Sequence, residues 1–226
     1  MSLTPPLPHD PPDDARRFGV VVPVKPLSVA KSRLAELGDG PRRELVAAFA
    51  MDTVLAALET PVVAGVLVVT DDVELARSLA ELGVAAVPDG TSGDLNGTLR
   101  QGAAEVVRRH PGTAPVALCA DLPCLRPSDL GATLTGAPVA QPAFVADADG
   151  TGTTLYTAPD LARFAPRFGP GSRAAHLEGG AVELAVPVDS PMRRDVDTPD
   201  DLVQARALGV GARSGWVLTR LLPGSG

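Results

Sequence analysis

Val62-Val63-Ala64-Gly65-Val66-Leu67-Val68-Val69 is the longest uninterrupted apolar run in the chain, and Val116-Ala117-Leu118-Cys119-Ala120 repeats its character in shorter form. Neither run alternates apolar with polar residues, so neither suits a strand with one wet face. Both suit strands buried on both faces. Working outward from them, Phe18–Val24, Val84–Val87, Ala143–Ala146, Thr153–Thr157 and Val182–Val188 read as further strands, and the two apolar runs as Val62–Thr70 and Val116–Ala120. Helical patterns lie between. Leu99, Gly102, Ala103 and Val106 fall at i, i+3, i+4, i+7 spacing. Asp71-x-x-Glu74 and Thr198-Pro199-Asp200-Asp201 read as helix starts, the second with proline at the first helical position. This alternation predicts an α/β fold, a mostly parallel central sheet flanked by helices. Ligands of such sheets bind outside the carboxyl ends of the strands, which selects the loops to read for chemistry.

Of the 226 residues 45% are hydrophobic and 21% charged, enough apolar matter for the core of one domain. With 20 Lys+Arg against 27 Asp+Glu the formal charge is −7. That argues against nucleic acid as a partner, because binding a phosphate backbone needs cations to displace counterions. Five Phe, one Tyr and one Trp also leave little for stacking on bases. The run at Val62 falls far short of the roughly 20 residues that span a bilayer, and no charged-then-apolar leader opens the chain. A soluble, cytoplasmic protein with no membrane partner is expected. Residues 1–17, with five prolines and no apolar period, read as a disordered tail, residues 18–210 as the domain and residues 211–226 as a C-terminal tail. Cys119 and Cys124 have no second Cys or His pair at ligand spacing and read as free thiols.

Four kinds of loop carry candidate chemistry. Lys25, Lys31 and Arg33 fall within nine residues directly after the first strand of an otherwise acidic chain. They suit an anion clamp, with Lys as point charge and Arg as fork, or else a solvated basic loop. No Walker loop occurs. Asp121 follows the strand Val116–Ala120, where a carboxylate either holds a divalent cation or caps a turn. In Arg194-Asp195-Val196-Asp197-Thr198-Pro199 the residues i and i+2 of an extended segment face one way, so Asp195 and Asp197 could grip one Mg²⁺, or Asp197 merely starts the helix. Asp147 and Asp149 match the same pattern, which shows how cheap it is. Two glycine-rich loops, Gly150-Thr-Gly-Thr153 and Arg167-Phe-Gly169-Pro-Gly171-Ser172-Arg173, let backbone approach an anion, or are ordinary turns. The second matches G-x-G-x-x-A, but the strand a dinucleotide fingerprint needs before it is missing. His110 and His176 have no Ser or Cys partner in a motif and read as structural.

Six of these pieces in order, Lys25-(x)5-Lys31-Ser-Arg33-Leu, Asp94-Leu-Asn96, Asp121-Leu-Pro, Gly150-Thr-Gly-Thr153, Arg167-Phe-Gly-Pro-Gly-Ser172 and Asp195-Val-Asp197-Thr-Pro, cover about Val20 to Gly209. In them the chain resembles the coenzyme F-420 guanylyltransferases, and within that family the actinobacterial branch. The resemblance implies a single-domain nucleotidyltransferase fold, GT-A-like and Rossmann-related. It implies a Mg²⁺-dependent enzyme that joins GTP, as co-substrate, to phosphoenolpyruvate, giving enolpyruvoyl-2-diphospho-5′-guanosine and pyrophosphate. By the same resemblance Asp121, Asp195 and Asp197 are the catalytic carboxylates that hold one or two Mg²⁺ ions. Lys25, Lys31, Arg33 and Asn96 contact the nucleotide, and Thr153, Gly169 and Ser172 seat the acceptor. One departure stands out: many relatives of that fold have a Gly-Gly pair in the first loop, where this chain has Lys25-Pro-Leu-Ser.

Other readings fit less of the chain. The same chemistry on 2-phospho-L-lactate or 3-phosphoglycerate would use the same residues. A nucleotide sensor without activity would be expected to have lost a metal carboxylate or the cationic loop, and this chain keeps both. An aspartyl-phosphate phosphatase would also use D-x-D-x-T, but with an α/β domain after it, and fewer than 30 residues follow Asp197.

Overall fold

The structure, a computed structural model, describes residues 16–25, 38–91 and 93–221. In chain order it contains β1 (Phe18–Pro23), α1 (Asp39–Leu58), β2 (Val63–Val69), α2 (Val73–Glu81), β3 (Ala85–Val87), α3 (Leu95–Arg109), β4 (Ala114–Leu118), α4 (Pro127–Thr135), β5 (Ala143–Ala146), β6 (Thr153–Thr157), α5 (Ser172–Glu178), β7 (Val182–Glu183), α6 (Pro199–Leu208) and α7 (Ala212–Leu221). The strands form one seven-stranded sheet in the order β3-β2-β1-β4-β6-β5-β7. Pairing is parallel for β1 with β2 and β4, for β2 with β3, and for β5 with β7. Among the described strands β6 alone runs antiparallel, to β4 and to β5. The carboxyl ends of β1 to β5 and the amino end of β6 therefore emerge at one edge, with β1 and β4 neighbours at its centre.

The two-residue period of the strands divides the core. Val20, Val22 and Val24 join Val46, Ala50 and Val54 of α1 on one face. Val21 and Ala117 turn to the other face and pack with Leu99 and Ala103 of α3. The helix α3 lies so close to the sheet that a Cβ on Gly102 would come within 2.5 Å of a Val21 methyl. The far side of α1 presents Leu45 and Phe49 to Leu202 and Ala205 of α6 and to Val217 and Leu218 of α7.

Two expectations change, and one helix is new. Val182–Val188 holds only two strand residues, because its partner β5 is four residues long and the last rung is the Leu184 N–H to Phe144 O bond of 2.8 Å. The cap of α2 is Asp72, which accepts the Leu75 N–H at 2.9 Å, whereas Asp71 accepts the Asp89 N–H from across the sheet edge. The longest helix, α1, has no signal of its own: its N-cap Gly38 makes no side-chain bond, and it is apolar on two sides because it lies between the sheet and α7. The α6 start is as read, a Thr198/Asp201 capping box with Pro199 in the first turn. No helix among the described residues is long and apolar enough to cross a membrane.

Of the segment set apart as a tail, residues 1–15 lie outside the described residues. Arg16 donates to the Pro138 and Ala158 carbonyls at 2.9 and 3.2 Å. The other segment, from residue 211, carries α7, and buried Asp52 of α1 accepts the Arg213 and Ser214 N–H groups at 3.2 and 2.8 Å. Replacing Asp52 by Ala leaves those two helix-terminal donors without their acceptor. It should lower stability by about 1–2 kcal/mol, read as a lower urea midpoint at unchanged slope. An unaltered midpoint would mean that α7 is held by its apolar face alone.

Candidate active site

Asp121 stands just beyond β4, and the chain returns to it much later. The Val196 N–H donates to the Asp121 carbonyl at 3.1 Å. Val196 is fully buried among α1 and α6 residues. With Val196 turned into the core, extended geometry turns Asp195 and Asp197 the other way, toward Asp121. The three half-buried carboxylates bring oxygens within 4.8 Å of one another. Such a set of hard oxygens suits Mg²⁺, which takes a few carboxylates and completes its shell with water and phosphate oxygens.

Three neighbours hold the triad. Thr53, fully buried in α1, reaches the Ala120 carbonyl at 3.2 Å and accepts the Leu122 N–H at 3.2 Å, bracketing Asp121. Asp201 accepts the Asp197 and Thr198 N–H groups at 3.1 and 2.8 Å. Arg193 donates twice to the Asp147 carbonyl, at 3.1 and 2.7 Å. Asp147 is thereby accounted for as a turn former, since its carboxylate accepts the Thr151 and Gly152 N–H groups.

A cleft of about 310 Å³ opens between the triad and the end of β1, lined by Lys25, Leu99, Cys119, Asp121, Phe168 and Asp197 among others. Exposed Lys25 stands at its mouth and also lines a second cleft of about 250 Å³. Lys31 and Arg33 lie outside the described residues. Both cysteines are free thiols; burial pushes Cys124 up to about 11, and Cys119 donates toward the Thr153 carbonyl at 3.4 Å.

Thr153, Gly169 and Ser172 meet where β6 begins and α5 starts. The Ser172 hydroxyl donates to Thr153 Oγ1 at 3.0 Å, and the Ser172 N–H donates to the Gly169 carbonyl at 3.1 Å. Gly171, the N-cap of α5, has φ 70°, which a side chain would strain. His176 organises this corner. Its Nε2 accepts the Arg167 N–H at 2.9 Å. A backbone N–H can only donate, so the ring proton of the neutral imidazole sits on Nδ1 and is given to Thr153 Oγ1, 3.0 Å away. The ring stacks on Tyr156 at 4.7 Å. Burial first, then the Arg167 charge, pushes its pKa down to about 4, so it stays neutral near pH 7. Asn96 lies opposite. Its amide spans the Phe168 peptide, Nδ2 donating to the carbonyl at 3.0 Å and Oδ1 accepting the N–H at 2.8 Å. Both ends of the amide are thus engaged by the 167–172 loop, and α3 is fastened to it.

Residues 18–221 match the family described as guanylyl transferase CofC like. The chain belongs to that family. It is 51% identical over 211 residues to the phosphoenolpyruvate guanylyltransferase of Streptomyces scabiei (strain 87.22), covering 91% of this chain and 98% of that protein. The protein of the same name from Streptosporangium roseum is 45% identical, covering 95% and 96%. Among solved structures, a nucleotidyl transferase from Methanothermobacter thermautotroptrophicus superposes with a TM-score of 0.60 at 20% identity, covering 85% of this chain and 97% of that one. The CMP:2-keto-3-deoxy-manno-octonic acid synthetase complexed with CTP gives 0.53 at 17%, covering 85% and 98%. These two likenesses show the fold, that of nucleotidyltransferases. The chain is itself a nucleotidyltransferase, and the three carboxylates stand at the carboxyl edge of its sheet.

His176 also makes stability depend on pH. Its folded-state value of about 4 lies below the ordinary 6.5. The unfolded chain therefore binds the proton first, so this stabilising contribution is complete above 6.5 and drains away as pH falls toward 4. The stability difference between wild type and His176→Gln, from urea unfolding, should shrink across that range. A difference independent of pH would contradict the buried neutral ring.

Proposed function

We propose that this enzyme is a phosphoenolpyruvate guanylyltransferase, joining GTP to phosphoenolpyruvate to give enolpyruvoyl-2-diphospho-5′-guanosine and pyrophosphate, in coenzyme F-420 biosynthesis in the cytoplasm. The observation that carries the reading is the meeting of Asp121, Asp195 and Asp197 within 4.8 Å, beside the Lys25 cleft. The acceptor is taken from the name of relatives that are about half identical over nearly their whole length.

In the reaction an oxygen of the acceptor phosphate attacks the α-phosphorus of GTP, the bond from that phosphorus to the β-phosphate oxygen breaks, and pyrophosphate leaves with the electron pair. An acceptor phosphate is already anionic at neutral pH, so no protein base is needed and catalysis is positioning plus charge neutralisation. Asp121, Asp195 and Asp197 would hold Mg²⁺, one ion or two, which supplies charge neutralisation at the phosphate oxygens. Lys25, joined by Lys31 and Arg33, neutralises the triphosphate and the leaving pyrophosphate. Thr153, Gly169 and Ser172 seat the acceptor, His176 keeps that loop in place, and Asn96, whose amide braces the same loop, lies near the nucleotide. A sensor without activity is disfavoured, because the carboxylate set is whole.

The test is pyrophosphate release with GTP and Mg²⁺, run in parallel with phosphoenolpyruvate, 2-phospho-L-lactate and 3-phosphoglycerate, with a downstream enzyme trapping the product. Release with phosphoenolpyruvate alone is expected, and release with another acceptor would correct the substrate. Asp195→Ala and Asp197→Ala should each lower turnover by at least about 10²-fold at unchanged thermal midpoint. Full activity in both would remove the metal assignment.

A further inference from the structure

We propose that the second cleft, at the carboxyl ends of β2 and β3, is the nucleobase pocket, and that Asp89 and Asp71 select guanine there by its hydrogen-bond donors. The inference rests on the guanylyl-transfer reading above. The cleft of about 250 Å³ is lined by Lys25, Val69, Asp71, Asp89, Leu95 and Thr98. It shares Lys25 and Leu95 with the cleft that contains Asp121 and Asp197. A nucleotide whose phosphates lie between Lys25 and the triad therefore reaches it directly, and it has room for a heterocyclic base.

Charge and hydrogen bonding say which part of which substrate enters. The acceptor is a small polyanion, and a wall with two carboxylates repels it, with Lys25 the one cation among the described lining residues. A base is neutral and can use acceptors. In Asp89, Oδ1 accepts from the Thr98 hydroxyl at 2.6 Å, the Thr91 N–H at 3.0 Å and the Thr91 hydroxyl at 3.2 Å. These bonds, the Thr98 one foremost, hold the carboxyl below its usual range and keep it ionised. In Asp71, Oδ1 accepts the Asp89 N–H at 3.0 Å. Each carboxylate is thus fixed through one oxygen, and neither Oδ2 has a hydrogen-bond partner among the described residues.

Two carboxylates lining one cleft, each with an oxygen to spare, are complementary to guanine, whose N1–H and 2-amino group are donors side by side on one edge. Adenine offers an unprotonated N1 at that place and no 2-amino group, so its lone pair would face a carboxylate. Hypoxanthine keeps N1–H and lacks the amino group. Discrimination of this kind is large, because a site built around a donor leaves its own acceptor unpaired when the donor is missing.

The experiment compares GTP, ITP and ATP in wild type, Asp89→Asn and Asp71→Asn. It reads kcat/KM with phosphoenolpyruvate, and equilibrium binding of each nucleotide by calorimetry without acceptor. Wild type should prefer GTP over ITP by about 10- to 100-fold, the worth of a hydrogen bond to a charged group. The preference should fall at least about fivefold in the variants, with the KM for phosphoenolpyruvate unchanged. Asp71 lies exposed on the rim, so Asp71→Asn decides the matter if Asp89→Asn disturbs the loop. An equal wild-type affinity for GTP and ITP, or a preference untouched in Asp71→Asn and in a folded Asp89→Asn, overturns the proposal. The binding arm separates it from the reading it rests on. Selective GTP binding lost in the variants, with no turnover on any acceptor, upholds the pocket and removes the transfer reaction.

Discussion

Three carboxylates within 4.8 Å repel one another, and the fold has to hold them there. The bond that does so joins the Val196 N–H to the carbonyl of Asp121, residues far apart in sequence, while the Val196 side chain is fully buried. One hydrogen bond sets the approach of the returning chain, and one buried side chain sets which way its neighbours face. The supports are rigid. Thr53 grips both sides of Asp121 from within α1, and the α6 capping box grips Asp197 from the other direction. Groups that must keep like charges close are best placed on helices and strand ends rather than on free loops.

The antiparallel β6 explains why the rest of the site gathers at the same edge. In a wholly parallel sheet Thr153, the first residue of that strand, would lie at the opposite end from Asp121. Because β6 runs against β4, Thr153 emerges beside the carboxyl ends, and the α5 loop packs against it through His176 and Ser172. The edge then divides by charge. Asp71 and Asp89 line the side toward β3, the hydroxyls and glycines of the 150–172 region stand toward β5, and Lys25 with the triad lies between. On the proposed reading, the nucleotide and the small phosphoacid meet there without competing for the same groups.

Much of this was legible in the sequence. Runs without alternation marked β2 and β4, the Asp-Val-Asp spacing placed two carboxylates on one face, and the Thr198 box set the start of α6. What escaped notice has physical causes. Helix α1 is buried on two sides, so it lacks both a polar stripe and a cap. Thr53, a lone hydroxyl within its apolar stretch, becomes meaningful only when β4 ends beside it. The second contact of Asn96, its amide pairing with the Phe168 peptide, follows from where the 167–172 loop folds and has no motif of its own. His176 lies within no motif, and its tautomer follows from a backbone N–H that sequence cannot place. Asp71 resembled a helix cap because Asp72, the true one, is its neighbour.

The carboxylate set is the centre on which the rest turns, and Mn²⁺, a paramagnetic stand-in for the proposed Mg²⁺, tests it without turnover. Titration of Mn²⁺ into wild-type protein, with the free ion followed by its electron paramagnetic resonance signal, should show uptake that saturates at a fixed stoichiometry. Asp121→Asn and Asp195→Asn should each weaken that uptake by at least about tenfold while the protein stays folded. Undiminished Mn²⁺ uptake in both variants would contradict the assignment of these three residues as the metal-binding centre.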